Sequence, residues 1–226
     1  MCTAVPAHAA LTSPEANAYV VSATLAGASI VAPTPDSTYA PGGTFTVANL
    51  AVGPFASNAT ATATTAGDPT TGDSSASATV DTLGVTLSAI AALNLTGVDS
   101  TCTATPAGAT GSGLIAGGNL SLLGIATPLN AAAAPNTTVT IPGVGSLVLN
   151  EQTTDPATGI LTVNAVDVTI TGGTELIIGH AACGGAPAVV ATPMVNGKAA
   201  AGGLAAAGTL ALVNLRRKRR TAFSRD

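Results

Sequence analysis

The chain has 226 residues, of which 46% are apolar but only 2% aromatic, and none is Trp. Its formal net charge is −4, and all 7 basic residues lie at position 198 or later, so residues 1–197 carry acidic charges alone. Proteins bind nucleic-acid phosphates through Lys and Arg, so this body is not expected to bind nucleic acid. The length suits one domain of about 100 to 200 residues with short terminal segments.

The first residues predict the end of an export signal whose front part is missing. Ala7-His8-Ala9 has the small-x-small form of a signal-peptidase site, but no charged or long apolar segment precedes it. We interpret residues 1–16 as the remnant of a truncated signal peptide and a linker, so that Cys2 and His8 are absent from the mature protein. The alternative is an Ala-rich terminus with no such role.

Alternating apolar and polar residues predict strands, for example at residues 18–23, 45–48, 146–149 and 161–168. Residues 84–98 are predicted to form two strands joined by a bend. In 161–168 neither predicted face is cleanly polar, which favours a strand inside a sheet. Period two assigns these side chains to two faces: Leu161, Val163, Ala165 and Asp167 on one, and Thr162, Asn164, Val166 and Val168 on the other.

The pattern Asp-Pro-x-Thr-Gly occurs at residues 68–72 and 155–159 and predicts two hairpin connections. Asp bonds the backbone ahead, Pro presets φ, and Gly accepts the left-handed conformation. Asp68, Asp73 and Asp155 with neighbouring carbonyls could hold Ca²⁺ loosely, but their spacing matches no Ca²⁺ loop. With abundant small, β-branched residues, these features predict an all-β domain over residues 17–185, a sandwich or barrel of short antiparallel strands.

After a linker at residues 186–198, the C-terminus has the order of a stop-transfer anchor. Residues 199–215 lack charge and favour an apolar helix of about 25 Å, somewhat short of the roughly 30 Å hydrocarbon core. Its apolar side chains are Leu204, Leu210, Leu212, Val213 and Leu215, and its basic tail is Arg216, Arg217, Lys218, Arg219 and Arg220. Because basic flanks stay cytoplasmic, we predict an extracellular domain anchored in the plasma membrane over residues 199–226. The alternatives are a surface helix with a solvated basic end and a nucleic-acid-binding tail. No LPxTG-like sortase motif precedes the run.

Once Cys2 is removed with the signal peptide, Cys102 and Cys183 are the remaining cysteines. An even pair in an exported chain is usually joined, so we predict a disulfide between them. The alternative is two free buried thiols.

Several segments together resemble the choice-of-anchor P family, a group of secreted actinobacterial surface proteins. They are Pro-Thr-Pro at 33–35, Pro-Gly-Gly at 41–43, Cys-Thr-Ala at 102–104 with Gly108, Asn-Leu-Ser-Leu-Leu-Gly at 119–124, Pro-Asn-Thr-Thr-Val at 135–139, Pro-Gly-Val-Gly at 142–145, Leu-Asn-Glu-Gln at 149–152 and Leu-Thr-Val-Asn-Ala at 161–165. The resemblance covers residues 17–185 and implies export and a variable C-terminal anchor. It brings no catalytic residues, and the incomplete front end departs from the family pattern.

The sequence offers few residues that could form a catalytic or metal site. His180 with Cys183 could form a nucleophilic pair, but an extracellular Cys with a partner normally oxidises. One His and two Cys fall one ligand short of a tetrahedral metal site, and carboxylate pairs for glycoside hydrolysis lack rings that hold sugar. We therefore predict a protein without enzymatic activity, metal or cofactor, with a structural or adhesive role towards cell-envelope or extracellular-matrix components. The alternative is a binding module for glycan or a small ligand, with Tyr19, Tyr39, Phe45 and Phe55 as its candidate rings.

Overall fold

The computed structural model describes residues 11–52, 55–56, 60–88, 91–129 and 131–187, which all belong to the first of two units, Met1–Val189. Within these residues the regular structure consists of strands, and the prediction of an all-β domain is confirmed. The strands are β1 (Glu15–Leu25), β2 (Ala28–Tyr39), β3 (Gly43–Ala48), β4 (Ala51–Val52), β5 (Phe55–Ala56), β6 (Thr60–Asp68), β7 (Asp73–Ser88), β8 (Ala91–Thr105), β9 (Gly108–Leu122), β10 (Ile125–Pro128), β11 (Thr137–Ile141), β12 (Gly145–Thr154), β13 (Leu161–Ile170) and β14 (Thr174–Gly184). The predicted C-terminal helix lies outside the described residues.

The strands form two antiparallel sheets that pack face to face, so the architecture is a sandwich. The first sheet has the order β11-β12-β13-β14-β1-β2. The second has the order β10-β9-β8-β7, and β7 then pairs with β6 along one half and with β5 along the other, while β3 joins β6 and β4 joins β5. Strand β13 lies between β12 and β14, as predicted, and β7 and β8 form the predicted pair in residues 84–98.

The prediction of short strands is wrong for the second sheet, where β7 has 16 residues and β8 and β9 have 15 each. These strands continue past points where the alternation of inward and outward side chains changes phase. Sequence patterns treat such points as strand ends. In β8, Gly97 has a φ of +55°, and Leu95 and Val98 on either side of it both point into the core. Gly reaches this left-handed conformation without a Cβ penalty, so the ladder is not broken there.

The core narrows towards one end of the sandwich. At the wide end it is built from large side chains, including Leu83, Leu93, Leu147 and Ile178. At the other end, which we call the disulfide end, it consists mostly of alanines with Cys102, Cys183, Leu161 and Val163. The sheets approach each other closely between these clusters: a Cβ on Gly113 of β9 would lie 2.8 Å from the Cα of Ala165 in β13. Small side chains bury little apolar area, so this end gains less from the hydrophobic effect.

Both chain ends of the domain lie at the disulfide end. Glu15 at the start of β1 pairs with Gly184 at the end of β14, and the predicted turns at 68–72 and 155–159 lie at this end too. The turns after β1, β9, β11 and β13 lie at the opposite end. The chain therefore enters and leaves the domain on the same side.

The predicted faces of 161–168 require a correction. Leu161, Val163 and Ala165 share a face, as predicted, and it points into the core, but Val166 and Val168 point into the core as well. Asp167 lies on the outer face together with Asn164. The alternation changes phase between Ala165 and Val166, so a strict period of two assigned three of the eight side chains to the wrong face.

This change of phase runs across four strands of the first sheet. Four positions that pair across these strands face the core: Leu149, Val166, Ile178 and Val21. Two residues away in each strand, four other paired positions face outward: Glu151, Asn164, His180 and Tyr19. Two residues at the intervening level have left-handed backbones, Asn150 with φ +50° and Gly179 with φ +66°. Residues two apart in a strand normally share a face of the sheet. Because the alternation changes phase here, a row of outward-facing polar residues lies only two residues along each strand from core residues.

Candidate functional site

A row of polar and aromatic side chains crosses the outer face of the first sheet where the phase changes. Register brings it together from five strands in two separate parts of the chain, β1 and β2 near its start and β12, β13 and β14 near the end of the domain. Its members are Glu151 of β12, Asn164 of β13, His180 of β14, Tyr19 of β1 and Asp36 of β2. We call these five residues the outer row.

Hydrogen bonds join three members of the outer row into a chain. The Asn164 amide nitrogen donates to Oε2 of Glu151 at 2.6 Å, and Oδ1 of Asn164 lies 2.8 Å from Nδ1 of His180. Since an amide oxygen only accepts, Nδ1 of His180 must carry the proton. The imidazole therefore presents Nε2 as an acceptor, and no hydrogen bond to it is formed by the described residues.

Tyr19 stacks on His180, with ring centroids 4.2 Å apart and ring planes inclined by 8°. Burial lowers the pKa of His180 to about 4, because the charged imidazolium is poorly solvated there. Burial also raises the pKa of the Tyr19 phenol, an effect that a bond to Ser22 opposes and the carboxylates of Glu175, Asp167 and Asp36 reinforce. At neutral pH both rings are uncharged, and the stacked pair is largely buried, since only 9% of the surface of Tyr19 is exposed.

Asp167 is buried beside the outer row, with 7% of its surface exposed. Burial first, and then the negative charges of Glu151 and Glu175, raise its pKa to about 7. No Lys or Arg occurs in residues 11–187 to offset these charges. The face is therefore an acidic surface whose charge changes near neutral pH.

Asp167→Asn is expected to raise stability most above pH 7. Unfolded Asp titrates near a pKa of about 3.9, so between about pH 4 and 7 unfolding releases a proton, and the stability of the wild type falls as the pH rises. Asn has no ionised form to desolvate. After a discount for solvent screening we expect a pH-dependent gain on the order of 1 to 2 kcal/mol at pH 8 relative to pH 4, measured by denaturant unfolding across this range.

His180→Gln is the matched comparison, because the contribution of His180 to stability changes with pH in the opposite direction to that of Asp167. His180 titrates near pH 4 when folded and near 6.5 when unfolded, so its contribution is lost as the pH falls through this window. In the wild type the two residues change the free energy of unfolding with pH in opposite directions. Each variant should therefore show the pH dependence of the residue that remains. An Asp167→Asn effect that is constant from pH 4 to 8 would show that this carboxyl does not titrate as described.

A cavity of about 470 Å³ opens next to the outer row, at the disulfide end. Asn17, Thr38 and Ala182, which form the next level of the same sheet face, line one side, and Ser13, Glu15 and Ile160 contribute to the rest. The amide nitrogen of Asn17 donates to Asp36 at 3.0 Å and to Thr38 at 3.0 Å, which connects the cavity wall to the outer row. Its volume falls in the range of small-molecule sites, about 300 to 1,000 Å³.

The predicted disulfide is present. Cys102 in β8 and Cys183 in β14 are bonded across the two sheets, with Cα atoms 5.7 Å apart. Both residues are fully buried. His180 lies three residues from Cys183 but on the outer face, so the pair considered for nucleophilic catalysis is separated by the sheet, and Cys183 is oxidised.

The two Asp-Pro-x-Thr-Gly turns have the predicted chemistry. Oδ1 of Asp68 accepts from the N–H of Thr70 at 2.7 Å, and Oδ1 of Asp155 accepts from the N–H of Ala157 at 2.8 Å. The first bond lowers the pKa of Asp68. Gly72 and Gly159 close the turns with φ near +80°. Within the described residues, no three His, Cys, Asp or Glu side chains are grouped as metal ligands.

The remaining predicted residues have different outcomes. Tyr39 packs against the alanine cluster, Phe45 is 53% exposed on β3, and the side chain of Phe55 lies outside the described part. The anchor at Leu204, Leu210, Leu212, Val213 and Leu215 and the tail at 216–220 also lie outside it. No helix in the described ranges is long and apolar enough to span a bilayer.

Sequence patterns single out Tyr19 and His180 separately but do not indicate Glu151, Asn164, Asp36 or Asp167 as site residues. One available signal was the presence of Asn, Asp, Glu and His within strands of strong β pattern, where polar residues are costly if buried. Comparisons of the chain with family models, with curated proteins and with solved structures gave no match. The resemblance to choice-of-anchor P proteins therefore stays a prediction.

Proposed function

We propose that this chain is an exported protein held at the cell surface by its C-terminus, with a structural or adhesive role and no catalytic activity. The observation that carries the proposal is the buried Cys102–Cys183 bond between the sheets. Disulfides of this kind persist in oxidising compartments and are rare in the cytosol. Membership of the choice-of-anchor P family is part of the proposal.

The distribution of charge supports export and anchoring. Residues 1–197 contain no Lys or Arg, whereas five consecutive basic residues follow the charge-free run at 199–215. This order favours retention of the tail on the cytoplasmic side of a membrane. The two domain ends lie together at the disulfide end, so the chain leaves the domain for the proposed anchor on the side where it enters.

The chemistry of His180 supports a non-catalytic role. A general base works best with a pKa near the operating pH, and burial lowers the pKa of this imidazole to about 4. Its Nδ1 partner is the amide of Asn164, which cannot stabilise a positive imidazolium as a carboxylate would. The described residues place no hydroxyl or thiol nucleophile within hydrogen-bond distance of Nε2.

Deletion of residues 198–226 is expected to move the protein from the membrane fraction to the medium. The deletion removes both the apolar run and the basic tail, so the exported domain loses its attachment. Fractionation followed by immunoblotting measures the shift, and a cytoplasmic marker controls for lysis. If full-length and truncated chains partition alike, the C-terminus is not the anchor.

A second candidate function is an extracellular binding module for glycan or a small ligand. The cavity at Asn17, Thr38 and Tyr39 favours it, because its volume and its hydrogen-bonding groups suit a small polar ligand such as a polyol. A glycan array tests it. A saturable signal that Asn17→Ala abolishes, while a Thr62→Ala control on the outer face of the second sheet retains it, would place binding above the structural role.

A further inference from the structure

The last described residues of the chain are held between two turns of the second sheet. After β14, the Gly184 carbonyl accepts a hydrogen bond from Oγ of Ser74 at 3.1 Å. The N–H of Ala186 then donates to the carbonyl of Gly72 at 2.9 Å, and Ala186 is only 1% exposed. The outgoing chain is thus bonded to the turn between β6 and β7 before it leaves the domain.

Two glycines allow this close passage. A Cβ on Gly185 would overlap the carbonyl of Thr105 at the end of β8, and a Cβ on Gly72 would overlap the carbonyl of Ala186. Gly72 also has a φ of +80°, a backbone conformation that residues with a Cβ rarely adopt. We call residues 184–186, with Gly72, Ser74 and Thr105, the exit clasp.

The disulfide lies directly upstream of the exit clasp. Strand β14 contacts its neighbours β13 and β1 through backbone hydrogen bonds, but Cys183 joins it covalently to Cys102 of β8. β8 lies inside the second sheet, between β7 and β9. A pull on residue 187 therefore passes through the clasp and the S–S bond into the second sheet, without having to be carried by the hydrogen bonds of β14.

We propose that the Cys102–Cys183 bond and the exit clasp form the mechanical junction through which the domain resists force from its C-terminal tether. The inference deepens the proposed function, on which the tether depends. Strand β1 provides an internal comparison. It has 11 residues, as does β14, pairs with strands on both sides and starts at the same end, but no covalent link joins it to the second sheet.

Single-molecule pulling on the full chain tests the junction in two geometries. A short coupling tag is inserted at Gly124, in the β9–β10 turn at the opposite end, where added atoms meet open space. The molecule is pulled between this tag and its C-terminus, or between the tag and its N-terminus. The oxidised wild type is expected to need a higher rupture force in the C-terminal geometry. Equal forces, or a higher force from the N-terminus, would overturn the proposal without any variant.

The double variant Cys102→Ala, Cys183→Ala separates load transfer from general stability. A disulfide that only stabilises the fold would lower both rupture forces equally when it is removed, and that result also overturns the proposal. The expected result is a larger loss in the C-terminal geometry, so that the difference between the two geometries shrinks to what the hydrogen bonds of the exit clasp still carry. These measurements use purified protein, so their outcome is independent of whether deletion of residues 198–226 releases the protein from cells.

Discussion

Removal of the inter-sheet disulfide is expected to lower the free energy of unfolding by about 4.5 kcal/mol, the value for a loop of this size in the chain-entropy model. Cys102 and Cys183 are 81 residues apart, so the reduced, unfolded chain gains a large conformational freedom that the bridged chain lacks. Typical domains have a net stability of about 5 to 15 kcal/mol. The bond therefore supplies a large part of what holds this sandwich together.

The double variant Cys102→Ala, Cys183→Ala avoids burying a new hydroxyl at the two sites. Denaturant unfolding with and without reductant measures the effect, and the double variant should be insensitive to reductant. Thr103→Ala, on the outer face beside Cys102, is the matched surface control and should change stability by less than about 0.5 kcal/mol. A wild type whose unfolding midpoint is unchanged after verified reduction would contradict the prediction.

Leu93→Ala is expected to cost about 3 kcal/mol, within the range for a large-to-small change in a packed core. Leu93 is 0% exposed at the wide end of the sandwich, where large side chains supply most of the apolar burial. Truncation loses the transfer free energy of the removed methyl groups and leaves a cavity. The measurement is the free energy of unfolding from denaturant titration.

Leu123→Ala makes the same chemical change in the β9–β10 turn, where the side chain is 70% exposed. It should change stability by less than about 0.5 kcal/mol. If the two variants are equally destabilised, burial at the wide end does not dominate the core as described. The contrast matters because the disulfide end, built on alanines, cannot offer a comparable gain from burial.

Local chemistry made much of the fold predictable. The strands around Val20, Leu147 and Val163 follow from period two, and the turns at Asp68 and Asp155 follow from side chains that bond the backbone two residues ahead. The disulfide followed from the compartment and the cysteine count, without knowledge of the register. Each of these inferences needs only neighbouring residues or composition.

The candidate site was not predictable in the same way. Tyr19 and Asp36 are far in the chain from Glu151, Asn164 and His180, and only the strand order and register bring the five residues into one row. The left-handed backbones at Asn150 and Gly179 also hide the row, because they reverse the face on which the following residues lie. In β13 the alternation also changes phase, between Ala165 and Val166, and a pattern of strict alternation misplaced Val166, Asp167 and Val168.

The sequence by itself determined the class of fold, the turn chemistry, the charge asymmetry and the two cysteines available for a bridge. Only the tertiary structure decided that the sheets form a sandwich that narrows at one end, that acids and a neutral imidazole share an outer face, and that the chain leaves through a clasp beside the disulfide. The physical reason is that propensity and periodicity act between neighbours in the chain, whereas pKa shifts, close sheet approach and load paths depend on which distant strands hydrogen bonding and burial bring together.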